Sequence, residues 1–107
     1  MRKKRRDTHD DRIYTKGRST EGWRRGERVT SLDQLQAGTV LVSVSHQFEA
    51  ENLIRITATD SPANLVRRQI VYWAYVSPEL EMLEDGGAIW EFELKGPSRE
   101  YFLAVRE

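Results

Sequence analysis

Two histidines, His9 and His46, are all the imidazole in a chain of 107 residues that has no cysteine. Acyl or phosphoryl chemistry would need one of them beside a positioned nucleophile, because a base without a held partner does little. His9 lies in a stretch too polar to hold any geometry. His46 follows Ser45 and precedes Glu49 and Glu51, and it shares the parity of Val40, Val42 and Val44. That spacing reads as a rim histidine satisfied by a backbone partner. Glu91 and Glu93, two apart, read as the solvated face opposite Trp90 and Phe92 rather than as an acid–base pair. "HDD" at 9–11 clusters metal-binding side chains, but a site needs three or four groups converging on a rigid frame. "EDGGA" is a turn and not a phosphate loop. No catalytic residue, metal or cofactor is expected, and a small nuclease or toxin built on His46 is the weakest of the readings weighed.

The basic residues are better placed for chemistry. Arg2, Lys3, Lys4, Arg5 and Arg6 are consecutive, and Trp23 stands beside Arg24 and Arg25. Lysine and arginine neutralise phosphates and release counterions whether or not the segment is folded, and a tryptophan beside them can stack on an unpaired base. Residues 1–28 carry eleven bases and five acids, a net +6, while residues 29–107 carry six bases and twelve acids, a net −6. The chain's neutrality is a cancellation of two unlike segments, as in proteins with a polyanion-binding arm.

Residues 1–28 offer only Ile13, Tyr14 and Trp23 as sizeable apolar groups, too few to offset chain entropy. They are expected to form a disordered basic arm, and residues 29–107 a single domain. In "SLDQLQAG" (31–38), Ser31 is a candidate N-cap, Leu32 and Leu35 are three apart, and Gly38 is a stop, which predicts one helical turn. Beyond Gly38 the apolar period becomes two. "TVLVSVSH", "NLIRITAT", "RQIVYWAYV", "AIWEFEL" and "EYFLAVR" read as strands, with "DSPAN" a turn and "SPELEMLEDGG" a loop. In the fourth strand segment, Trp90, Phe92 and Leu94 are expected to point inward. Five strands without a long helix predict a mainly β fold, a small five-stranded antiparallel barrel, SH3-like or OB-like. The Gly-terminated loop and hydrophobic first strand in "SLDQLQAGTVLVSVS" resemble the SH3-like pattern more closely.

"RQIVYWAYV" is apolar on both parities. If Ile70, Tyr72 and Ala74 fill the interior, then Val71, Trp73 and Tyr75 lie outside, with Arg67 and Arg68 leading in. Aromatic groups with arginines suit a protein interface. The expected function is therefore a non-enzymatic adaptor, an accessory or inhibitory factor of a nucleoprotein complex of the kind phages and mobile elements encode. Its barrel docks on protein through Arg67, Arg68, Val71, Trp73 and Tyr75, while the arm contacts nucleic acid. The alternative is an assembly subunit without nucleic-acid contact that associates with itself or with an acidic neighbour. No apolar run is long enough to span a bilayer, and acids follow the basic start where a secretory signal needs apolar residues. A cytoplasmic protein without membrane contact is expected.

Overall fold

A computed structural model describes residues 18–60 and 70–107. The described chain forms one antiparallel sheet of six strands: β1 (Trp23–Arg28), β2 (Val40–Ser45), β3 (Ala50–Asp60), β4 (Ile70–Val76), β5 (Met82–Trp90) and β6 (Arg99–Arg106). Their order across the sheet is β1-β6-β2-β3-β4-β5, so β1 and β5 are its edges and the sheet does not close into a barrel. The strand missing from the five expected is β1, which lies within residues 1–28. Its backbone pairs with β6 from Trp23↔Arg106 to Arg28↔Phe102. Gly26 makes the close approach possible, since a methyl there would stand 2.7 Å from the Leu103 carbonyl oxygen. Among the described residues no helix is long and apolar enough to cross a membrane.

The sheet is apolar on both faces. Leu41, Ile54, Ile56, Val71, Tyr75, Ile89 and Tyr101 form the larger buried cluster, covered by Val29, Leu32, Leu35 and Leu94 from the connections. Val42, Val44, Leu53 and Val76 form a second cluster, against which Trp23, Leu80 and Phe102 pack. β2, flanked by β6 and β3, is buried from Leu41 to Ser45 on both parities. The predicted turn is present as a 3-10 turn over Leu32–Gln34. Ser31 Oγ accepts the Asp33 N–H at 3.1 Å, and Gln34 Oε1 accepts the Ser31 N–H at 3.0 Å. This reciprocal cap satisfies donors that the short turn leaves over.

The inside–outside assignment of β4 holds for Ile70 and Ala74, which are buried as expected, and fails for Tyr72, Val71 and Tyr75. Val71 is fully buried and Tyr75 nearly so, whereas Tyr72 is exposed. Ile70, Ala74 and Val76 are buried as well, because both faces of the sheet have cover at this strand. Trp73 is bracketed by irregular pairing: Thr57 is inserted in β3 between the Ile56↔Trp73 and Ala58↔Tyr72 pairs. On the other side, Gly86 and Gly87 of β5 share the place opposite Trp73, between Tyr72↔Ala88 and Ala74↔Asp85. Such two-for-one insertions bend a strand and re-aim side chains.

Candidate docking surface

β5 ends at Trp90 and the chain turns at once into a 3-10 turn, Glu91–Lys95, so "AIWEFEL" is not a continuous strand. Leu94 holds the turn to the core, while Glu91 Oε1 accepts the Leu32 N–H at 3.1 Å and Glu93 Oε2 accepts the Trp90 N–H at 3.3 Å. With the turn fixed by those three side chains, Phe92 is left outward. It is 74% exposed, Trp90 is 45% and Tyr72 is 43%. The Trp90 and Phe92 rings are stacked with centroids 6.3 Å apart. Trp90 pairs with Ile70 and Tyr72 with Ala88, so Tyr72 and Trp90 are diagonal neighbours on one face. Three aromatic rings thus lie together on the surface, where the expectation of an inward Trp90 and Phe92 placed none.

Beside this surface the bulge opens a concavity of about 350 Å³, lined by Thr57, Tyr72, Trp73, Asp85, Gly86 and Gly87. Residues 79–93 supply six acids (Glu79, Glu81, Glu84, Asp85, Glu91, Glu93) and no base. The surface is aromatic at its centre and negative around it.

Of the docking residues expected from sequence, Val71 and Tyr75 are core residues, which corrects their placement outside. Tyr75 lies under the Arg18 guanidinium, 4.4 Å from its ring centroid, and meets the Trp73 ring edge-on at 4.9 Å. Trp73 is half-buried against the larger cluster. Arg67 and Arg68 lie outside the described residues. Periodicity alone could not choose the buried parity of a strand apolar on both; the signal for Trp90 and Phe92 was their position around a strand end flanked by glutamates.

The basic residues divide similarly. Arg2, Lys3, Lys4, Arg5 and Arg6 lie outside the described residues. Trp23 donates its Nε1–H to the Pro78 carbonyl at 2.9 Å, and Arg106 lies over its ring at 4.4 Å, so it is a packing residue whose ring is already engaged. Arg24 and Arg25 are both exposed; Arg25 pairs with Glu51 at 2.6 Å and approaches the Phe102 ring.

His46 is exposed. Its Nε2 bonds Glu100 Oε1 at 2.6 Å, and its amide N–H donates to the Ser98 carbonyl at 2.9 Å. The imidazole's partner is a carboxylate, which corrects the expectation of a backbone partner for this side chain. Glu100 also pairs with Arg28 at 2.9 Å. The hydrogen bond from His46 holds the Glu100 carboxyl below its ordinary range; desolvation opposes it, and the Arg28 charge, a smaller effect than desolvation, lowers it further. Ser45, beside the histidine, is buried and accepts the Phe48 N–H at 3.4 Å. Among the described residues no three His, Asp or Glu side chains are grouped to hold a metal.

No protein-family model matches this chain, and neither curated proteins nor solved structures give a match.

Proposed function

We propose that this chain is a non-enzymatic binding module that docks on a protein partner through Tyr72, Trp90 and Phe92, while its basic N-terminal residues contact nucleic acid nearby. The observation that carries the docking reading is the exposed Trp90–Phe92 stack, held outward by a turn whose own anchors are satisfied. Exposed aromatic groups gathered on one surface mark interfaces, and Trp and Tyr dominate the energy of binding where they occur. The nucleic-acid part rests on charge: eleven of the chain's bases fall in its first 28 residues. With Trp23 and Arg25 engaged in the fold, that contact falls to Arg2–Arg6 and Arg24.

The experiment compares the full-length protein with a Trp90→Ala/Phe92→Ala variant as baits. A partner retained by the first and lost by the second, with unchanged circular dichroism, supports docking. Equal retention removes the aromatic surface from the account.

A second reading is favoured by the pairs Arg18–Glu84, Arg25–Glu51 and Arg28–Glu100. Each joins an arginine of residues 1–28 to a glutamate of the acidic remainder. On this reading the positive segment balances the protein's own charge, and an assembly subunit results that has no nucleic-acid contact.

A further inference from the structure

The geometry points to a partner of one kind: an extended, basic peptide segment that adds to the open edge of β5 and seats a lysine or arginine side chain in the Tyr72–Trp73–Asp85 concavity. This rests on the reading of the same region as a protein-docking surface and names what docks there.

Four observations lead to it. β5 is an edge of the sheet and runs for nine residues, so among the described strands none pairs with its outer side. An open edge is a template for strand addition, in which backbone bonds give affinity and pockets for alternate side chains give specificity. The six acids and absent bases of residues 79–93 repel another acidic edge, including that of a second copy, and attract a basic strand. The concavity opens where Gly86 and Gly87 interrupt the β4–β5 pairing. It combines two aromatic residues with a carboxylate, and no described residue forms an ion pair with Asp85. Aromatic faces attract cations through their quadrupole, and a nearby carboxylate adds charge.

The fourth observation is that the molecule uses this chemistry one step along the same two strands. Tyr75 and Glu84 are cross-strand partners. Between them they hold Arg18, with its guanidinium 4.4 Å from the Tyr75 centroid and its Nη2 3.2 Å from Glu84 Oε1. The Arg18 backbone N–H is fixed in turn by Asn52 Oδ1 at 2.8 Å. Asp85 follows Glu84, and Trp73 and Tyr72 follow back from Tyr75. The concavity brings together the same residue types, although Asp85 pairs with Ala74 and not with an aromatic residue, and it is open where the first site is filled.

The test is fluorescence anisotropy with two labelled eight-residue peptides, one alternating arginine and valine, the other glutamate and valine. The arginine peptide is expected to bind saturably, the glutamate peptide not at all. Asp85→Asn and Tyr72→Ala, both at exposed positions, should each weaken binding at least fivefold, and Glu79→Gln, outside the concavity, should change it less than twofold. Binding should also shift the Trp73 indole N–H resonance. The inference is overturned if the arginine peptide fails to bind, or if Asp85→Asn and Glu79→Gln weaken it equally, which is attraction to net charge alone. It is also overturned if binding emerges only in an Arg67→Ala/Arg68→Ala variant, because the chain's own arginines then fill the concavity. Failure of the docking reading is separate: it shows as unchanged partner retention by Trp90→Ala/Phe92→Ala.

Discussion

The six-membered ring of Trp73 occupies the space in which Gly86 would carry a side chain. A β-carbon built at Gly86 overlaps that ring, whereas one built at Gly87 comes no nearer than 3.9 Å to Trp73 Cζ2. The two adjacent glycines therefore have different duties. Gly86→Ala is expected to cost about 1–3 kcal/mol, the range for overpacking a filled site. Gly87→Ala should leave stability within about 0.5 kcal/mol of wild type. Urea midpoints of the two variants check the contrast, and equal midpoints would show that the ring is free to move aside.

Trp73 and Trp90 should likewise separate. Trp73 packs against the larger cluster, so Trp73→Ala is expected to cost about 3 kcal/mol, within the range for truncating a core aromatic. Trp90, on the surface, should cost under about 1 kcal/mol. Thermal unfolding of the two variants measures this, and a greater loss for Trp90→Ala would reverse the assignment of faces.

That assignment was the part of the fold least legible in the sequence. Alternation exposed β2, β3 and β6, and a continuous apolar run rich in β-branched and aromatic residues exposed β4. The cap at Ser31 was legible because Ser31 stands just before Leu32 and Leu35, three apart, with Gly38 as a stop. β1 was hidden because its residues are mostly arginine and glutamate, and it is held by backbone pairing to β6 and by Trp23. β5 was hidden because Glu84, Asp85, Gly86 and Gly87 look like a turn, although they form a bulged edge strand. At β4 both faces are apolar because both clusters reach it, so no polar parity marks the outside. The aromatic surface was missed for a related reason. Period two carried through "AIWEFEL" turns Trp90 and Phe92 inward, while the chain leaves the strand after Trp90.

Acid should loosen the Arg28–Glu100–His46 cluster. The folded pKa of Glu100 lies below its ordinary 4.5, chiefly through the His46 hydrogen bond. A depressed folded pKa means that the stabilisation is fully present above the unfolded value and is lost as pH falls through the folded one. Unfolding midpoints measured from neutral pH downward should therefore fall less steeply below pH 4.5 in Glu100→Gln than in wild type. His46→Ala should lie between them. Parallel profiles for wild type and Glu100→Gln would show that this cluster contributes nothing to acid sensitivity.

The basic N-terminus gives a salt test. If Arg2–Arg6 contact a single-stranded oligonucleotide through five charges, log affinity should fall with log salt at a slope of about −3.5. Replacing these five residues with serine should abolish binding at low salt. Arg25→Ser should have little effect, because Arg25 is paired with Glu51. No binding by the full-length protein at low salt would leave the charge-balance reading.

The central claim is that protein docks on the Tyr72–Trp90–Phe92 surface, and site-specific photo-crosslinking in the source cells tests it most directly. A benzophenone side chain placed at Phe92, 74% exposed, should yield a covalent adduct with one partner, competed by untagged protein. The same group placed at Arg24, exposed on the opposite edge strand, should yield none of that adduct. No adduct at Phe92, or the same adduct from both positions, would contradict the account.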